Sequence, residues 1–267
     1  MPKPAKLPDP RTSELVTVQE AAAMWKEVLR SREEELRAAL PRHLVVDRFI
    51  RMVLTCAQHN PKLLAATPAS MYRAVLQCAQ LGLEPDSLRG LVYLIPRYSK
   101  KKAALEVNVQ LGYQGLMQLA RQSDQITVIE AHEVFMGDKF DYQYGTDQYL
   151  HHKPAHGDVQ EIDFVWALAR IRGEIHPQFQ VLDMTSVDAA RQRGGSPEEG
   201  PWKTDFAAMA KKTVLIRLCR YLPASTELAT AVALDQRAQA GLPQDLPEPE
   251  QPVVESTPVK LPEEPEK

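Results

Sequence analysis

Hydrophobic residues recur at helical spacing in the first third of the chain, and this pattern predicts three helices. The first covers Val18–Leu40 and is ended by Pro41, and the second runs from about Leu44 to His59. The third begins at Thr67-Pro68, where a capping residue precedes a proline at the first helical position, and it ends near Gly82.

The middle of the chain changes to alternating and β-branched patterns, which predict strands. Leu91–Ile95 and Glu106–Leu111 flank the basic turn Arg97–Lys102, and this arrangement predicts a hairpin with a basic tip. A short helix is predicted over Gly112–Ser123. Further strands are predicted over Gln125–Phe135, Lys139–Tyr144, Asp163–Ile171 and Gln178–Leu182.

Helical spacing returns after a predicted loop at Gly194–Pro197. One helix is predicted over Trp202–Tyr221, ended by Pro223, and a last one over Thr226–Ala240. The order of helices, strands and helices predicts an α+β fold. In it, helices flank a central, mainly antiparallel β-sheet that carries the basic β-hairpin.

Proline and charge distinguish the two ends from the rest of the chain. Residues 1–10 contain four prolines, and residues 241–267 contain seven prolines, seven acids and two bases. Such segments bury too little apolar surface to offset their ordering entropy. We therefore predict a flexible N-terminal arm over 1–16, one core domain over 17–240 and a disordered acidic, Pro/Glu-rich tail over 241–267. The tail is either a solvated segment or a functional one, acting as a phosphate mimic or a docking site.

Composition narrows the class of protein. The chain has 267 residues, of which 44% are hydrophobic and 25% charged, values typical of a globular protein. Its three cysteines are odd in number and far apart, which argues against a disulfide scaffold or a zinc finger. No apolar run approaches the ~18 residues that a membrane span requires, so we expect a cytoplasmic chain without membrane contact. The net charge of −3 includes the acidic tail, and the remaining body is slightly basic.

Motifs for catalysis or cofactor binding are absent from the sequence. There is no phosphate-binding loop, nucleophile elbow, zinc-protease helix or Cys-x-x-Cys pair, and Gly112–Gly115 lacks the third glycine of a dinucleotide fingerprint. We therefore predict no catalytic residue, no ATP or other cofactor, and no metal site. The best metal candidate is the set His151, His152 and His156, although Lys153 and the predicted loop argue against it.

Two stretches carry an excess of positive charge. Asp86–Arg121 contains six bases and two acids, and Arg191–Arg220 contains seven bases and three acids. Tyrosine and tryptophan residues lie among these bases, and Tyr113 and Trp202 are open candidates for either ring stacking or core packing. Backbone charge and base stacking together hold single strands without sequence choice. The sequence therefore predicts a phosphate-binding surface.

An ordered set of short motifs resembles one known family. The motifs are Asp47–Phe49, Asn60–Leu64, Leu81–Pro85, Tyr93–Pro96, Val109–Leu116, Leu119–Arg121, Gly137-Asp138 with Phe140, His152–Pro154, Gly200–Trp202, Met209–Thr213, Arg217-Leu218 and Tyr221–Pro223. Each is weak alone, but the ordered set, over about residues 20–235, closely resembles the RecT family of phage and prophage recombinases.

The resemblance implies an ATP-independent single-strand annealing protein of homologous recombination. Such a protein coats single-stranded DNA as a ring or helical filament and pairs it with a complementary strand into an annealed duplex. It also implies a bacterial host, a 5′→3′ exonuclease partner, the host single-strand binding protein as a further candidate partner, and modulation of DNA binding by Mg²⁺. Carried over to matched positions, the DNA-binding candidates are Arg97, Gln110, Tyr113, Arg121, Lys211, Lys212, Arg217 and Arg220.

Two alternatives remain beside this prediction. One is a metal-dependent nuclease that uses His151, His152, His156 and nearby acids. The other is a general binder of single-stranded DNA or RNA with the same basic and aromatic surface.

Overall fold

The computed structural model describes residues 18–86, 89–100, 102–155, 161–193, 200–223, 225–242 and 244. The predicted N-terminal arm, the loop at 194–197 and the tail beyond Gln244 lie outside the described residues. So do Lys101 of the predicted basic turn and His156 of the histidine motif.

Helices and antiparallel strands make up the described part of the chain, which confirms the α+β fold class. The helices are α1 (Val18–Ser31), α2 (Glu33–Ala39), α3 (Val46–His59), α4 (Pro68–Leu81), α5 (Tyr113–Arg121), α6 (Met184–Gln192), α7 (Pro201–Thr204), α8 (Phe206–Cys219) and α9 (Thr226–Gln239), with a 3₁₀ turn at Pro61–Leu63. The strands are β1 (Val92–Ser99), β2 (Ala104–Leu111), β3 (Ile126–Phe135), β4 (Lys139–Gln143), β5 (Tyr149–Lys153), β6 (Ile162–Ile171) and β7 (Gln178–Asp183).

The described strands form three sheets rather than the one central sheet that the sequence predicted. The β1–β2 hairpin stands alone, β3, β6 and β7 form a three-stranded antiparallel sheet, and β4 pairs with β5. The basic hairpin is present, but β1 continues to Ser99, so Arg97 lies within the strand opposite Glu106 and not in the turn. Alternation shows which segments are strands, but it carries no information on which strands pair.

Two predicted helices are each divided in the structure, and two observed elements were not predicted. The helix predicted over Trp202–Tyr221 is divided at Asp205 into α7 and α8. The single helix predicted over Val18–Leu40 is broken at Arg32, which has non-helical backbone angles, and the acidic run Glu33–Glu35 forms the first turn of α2. Carboxylates are favourable there because they face the positive end of the helix dipole. Strand β5 and helix α6 were not predicted, since β5 is short and polar and the buried residue of α6 is Val187.

The outer edge of β2 is covered by side chains rather than by a third strand. Three of its backbone N–H groups donate to side-chain oxygens, Val107 to Ser70, Val109 to Gln244 and Leu111 to Asp235. Gln244 also donates to the Val109 carbonyl oxygen at 2.6 Å, so its amide pairs with Val109 as a neighbouring strand would. The ordered core therefore includes Gln244, four residues beyond the predicted boundary at 240.

Helices α4, α5, α8 and α9 pack with the hairpin and β6 around one main hydrophobic core. A second, smaller cluster lies between the β4–β5 pair and the three-stranded sheet, around Val134, Trp166, Leu168 and Phe179. Across the described ranges, no helix is both long enough and apolar enough to cross a membrane.

Candidate nucleic-acid interface

A groove of about 780 Å³ lies between the β1–β2 hairpin and helices α7 and α8. Residues from the end of α3 and the beginning of α5 also line it. Its lining residues include Asn60, Tyr93–Ile95, Gln110–Gln114, Pro201, Met209 and Lys212. These residues belong to five of the motifs that carry the family resemblance, so stretches far apart in the sequence meet at one concave surface.

Two glycines bring α5 against the segment that enters β1. A Cβ atom on Gly112 would lie 1.9 Å from the carbonyl oxygen of Gly90, and one on Gly115 would lie 2.1 Å from that of Leu91. No side chain fits at either position, because the opposing atoms are backbone. The motif Gly-Tyr-Gln-Gly is therefore explained by a close approach that positions the first turn of α5 beside the groove.

Tyr93 and Gln110 are directly opposite each other in the hairpin and both line the groove. Burial, followed by the nearby charge of Asp205, raises the pKa of the Tyr93 phenol above its usual value. The hydroxyl therefore stays protonated at neutral pH and remains a hydrogen-bond donor. Tyr113, at the start of α5, also lines the groove and accepts a hydrogen bond from the Gln114 amide at 2.9 Å.

Lys212 lies at the floor of the groove but is not a free cation. Its side chain is 3% exposed, and its Nζ lies 2.6 Å from Oδ1 of Asp235, which is itself fully buried. Asp235 also accepts hydrogen bonds from the Leu111 backbone N–H and the Gln239 amide. This placement favours a structural ion pair between α8 and α9 over a direct phosphate contact.

Lys211 lies beside the groove, against Tyr113. Its Nζ is 2.8 Å from Oε1 of Glu133 on β3 and 4.8 Å from the centre of the Tyr113 ring. The carboxylate holds the ammonium group over the ring face, an arrangement in which a cation is attracted by the π-electrons. Lys211 therefore supports one side of Tyr113 and is partly neutralised by Glu133.

The other four predicted residues do not line the groove. Arg97 donates to the Ala238 carbonyl oxygen at the end of α9, at 2.9 Å, and Arg121 donates to the Ile129 carbonyl oxygen at 3.1 Å. Arg217 lies near Asp183, whose pKa is lowered mainly by hydrogen bonds from Ser186 and also by the Arg217 charge. Arg220 is exposed at the end of α8, away from the α8 residues that line the groove.

Two exposed lysines at the rim were not among the predicted site residues. Lys62 lies between the lining residues Asn60 and Leu63, and Lys203 lies between the lining residues Pro201 and Thr204. Neither forms an ion pair with any described residue. Both were within reach of sequence reasoning, because Lys62 belongs to a matched motif and Lys203 to the second basic stretch. Arg89 also lines the groove, but it is paired with Asp86 at 2.7 Å and Glu84 at 2.6 Å.

His151 and His152 of the histidine motif lie on β5, in the β4–β5 pair. His152 Nδ1 accepts a hydrogen bond from the Trp166 indole at 3.1 Å, and its Nε2 lies 2.9 Å from Oδ2 of Asp138. The Ala155 backbone N–H, with His152 and the Phe135 N–H, lowers the Asp138 pKa to about 2. Both ring nitrogens of His152 are thus engaged within the fold. Among the described residues there is no group of three side chains that could hold a metal ion.

Comparison with known proteins agrees with the resemblance found in the sequence. The model of the RecT family matches residues 47–252. Protein RecT of Escherichia coli (strain K12) is 39% identical to this chain over 209 residues, which cover 78% of this chain and 77% of that protein. The chain therefore belongs to the RecT family of recombination and single-strand annealing proteins.

Proposed function

We propose that this protein binds single-stranded DNA along the groove between the β1–β2 hairpin and α7–α8, and anneals it to a complementary strand without a nucleotide triphosphate. The convergence of the family motifs on this groove is the observation that carries the proposal. Aromatic rings and hydrogen-bond donors line it, and the exposed lysines Lys62 and Lys203 flank it. Such a surface attracts phosphates while leaving base edges free for pairing.

Base pairing supplies the free energy of the proposed reaction. Each stacked step of a duplex contributes a mean of about 1.4 kcal/mol, so tens of steps outweigh the cost of ordering two strands without ATP hydrolysis. We propose that many copies coat one strand as a ring or helical filament, with α1–α2 and α9 as the candidate contacts between copies. The protein would then need no catalytic residue and no cofactor, with Mg²⁺ only modulating DNA binding.

The wider context follows from the same proposal. A 5′→3′ exonuclease would expose the strand, and the host single-strand binding protein is a second candidate partner, in the cytoplasm of a bacterial host of a phage or prophage. We keep the division into an arm at 1–16, an annealing core and an acidic tail, with the core extended to Gln244. The nuclease alternative gains no support from His152, because its ring nitrogens are already bonded.

Annealing of two complementary oligonucleotides, one labelled, tests this function at several salt concentrations and without nucleotide triphosphate. The parent protein should anneal the strands rapidly. Its affinity for DNA should fall as salt rises, because its basic side chains release counterions from the phosphates when they bind. Reversing Lys62 and Lys203 to glutamate should weaken binding. It should also lower the slope of log affinity against log salt by about 1.4, since each phosphate contact on a single strand contributes about 0.7.

A matched control is the double reversal of Lys139 and Lys153, two exposed lysines opposite each other on β4 and β5, outside the groove. It changes the net charge equally and should leave annealing close to that of the parent. Equal losses in both double variants would contradict the assigned groove. Binding without annealing would support a general single-strand or RNA binder, and shortened strands would support a nuclease.

A further inference from the structure

The first turn of α5 borders the groove through Tyr113 and Gln114, and its backbone N–H groups have no acceptor among the described residues. The Gly112 N–H donates to the Leu91 carbonyl oxygen at 3.0 Å, and the intrahelical bonds begin with Leu116 to Gly112 at 3.2 Å. Between them, the N–H groups of Tyr113, Gln114 and Gly115 have no hydrogen-bond acceptor within the described ranges. Gly112 has no side chain to cap the helix. A helix end of this kind carries partial positive charge and favours an anion.

A second donor lies next to this helix end. The Gln110 residue is 7% exposed, it lines the groove together with Gly112, Tyr113 and Gln114, and its side-chain amide bonds to no described residue. Its amide is not among the fully buried polar atoms that lack a partner, so the amide reaches the open space of the groove and is free to bond there. Gln110 therefore points to a ligand that accepts hydrogen bonds at this wall of the groove.

The cations of the inner wall are already paired with carboxylates of the protein. Lys212 is bound to Asp235, Lys211 to Glu133, and Arg89 to Asp86. Among the described residues of this wall, the donors not paired with a carboxylate are neutral, and they include the Gln110 amide, the Tyr93 hydroxyl and the first turn of α5. An anion held here would be positioned by directed hydrogen bonds and not by a point charge.

We propose that the first turn of α5 and the Gln110 amide form a seat for one backbone phosphate of the bound strand. This inference rests on the proposed function, because it assigns the ligand to the DNA in the groove. The neutral donors of α5 and Gln110 fix the position of this phosphate. The counterions of the strand are displaced mainly by Lys62 and Lys203 at the rim. The seat would set the register of the strand relative to the hairpin and leave the base edges free.

Two substitutions of Gln110 separate the effect of charge from that of shape. Gln110→Glu keeps the size but replaces the donor with a carboxylate, so single-strand affinity should fall at least tenfold. Gln110→Met removes the donor and should weaken binding several-fold, with the salt dependence unchanged because no cation is lost. Gln118→Glu, the same substitution on α5 outside the groove lining, is the control and should bind as the parent does. Thermal melting checks that each variant is folded.

A strand with neutral methylphosphonate linkages identifies the group that occupies the seat. Gln110→Met should lose affinity relative to the parent on the normal strand but not on the methylphosphonate strand. In addition, inorganic phosphate replacing chloride at matched ionic strength should compete with DNA more strongly in the parent than in Gln110→Met. A loss that persists on the methylphosphonate strand would overturn the phosphate assignment in favour of a base contact.

Normal binding by Gln110→Glu would overturn the seat itself while leaving the annealing function intact. Failure of the parent protein to bind or anneal DNA would instead overturn the proposed function. The two failures are thus distinguishable.

Discussion

Lys211 and Lys212 are adjacent bases on α8, but their surroundings in the fold are different. Lys212 is buried against Asp235, so removing one partner leaves the other as an uncompensated buried charge. We expect Asp235→Ala to lower the free energy of unfolding by about 3–5 kcal/mol. Asp235 also binds the Leu111 N–H, so the hairpin should be loosened as well. Denaturant unfolding followed by circular dichroism measures the change.

Lys203→Ala provides the comparison for this substitution, because Lys203 is an exposed lysine with no ion pair to a described residue. Exposed substitutions of this kind usually change stability by less than about 0.5 kcal/mol. The two variants should show opposite behaviour, with Asp235→Ala mainly affecting stability and Lys203→Ala mainly affecting DNA affinity. A stable Asp235→Ala variant would show that the buried pair contributes little to the fold.

The structure places some of the residues predicted from the sequence at the groove and others elsewhere in the fold. Gln110 and Tyr113 belong to a matched motif, and the structure places both at the groove. Helical spacing could not show that Lys212 faces a carboxylate 23 positions later, because that contact depends on the packing of α8 against α9. For the same reason, the carbonyl contacts of Arg97 and Arg121 could not be predicted from the local sequence.

At the scale of elements, the position of α5 depends on the two glycines at its N-terminus. Gly112→Ala would place a methyl group 1.9 Å from the Gly90 carbonyl oxygen, so α5 must move away from the hairpin. Overpacking of this kind typically costs about 1–3 kcal/mol. We expect a lower melting temperature together with weaker DNA binding, because the groove is built from both elements. Gln118→Ala on the same helix is the control, and equal stability of the two variants would contradict the close approach.

The sequence predicted helices and strands well where the apolar pattern is strong. It missed structure that depends on contacts between residues far apart in the chain. Helices α3 and α4 carry buried faces at helical spacing, and the sequence predicted both close to their bounds. The single helix predicted over Trp202–Tyr221 is divided at Asp205 into α7 and α8. Strand β5 has no fully buried residue, and it is held by its pairing with β4. The buried contacts of Gln244 with Val109 involve a residue in a proline-rich segment, where local composition indicates disorder.

At the scale of the whole molecule, a slightly basic body is joined to an acidic segment. Residues 245–267 contain seven acids and two bases, whereas Gln244 belongs to the core. If this segment competes with phosphates for the groove and its rim, a chain ending at Gln244 should bind single-stranded DNA several-fold more tightly at low salt. The difference should disappear near 0.5 M salt, since charges farther apart than a few ångströms are then screened. Affinity measured by fluorescence anisotropy over a salt series tests this prediction.

The position of the cut decides what this experiment measures. A chain ending at residue 240 would also lose the Gln244 amide, leaving the Val109 N–H and carbonyl groups unpaired at a cost of about 1–3 kcal/mol. A full-length chain with the seven acids changed to amides keeps the segment and removes only its charge, and it should behave as the chain ending at Gln244 does. If both variants bind DNA with the affinity of the parent at every salt concentration, the segment does not mimic phosphate. Its acidic residues would then be candidates for binding a protein partner.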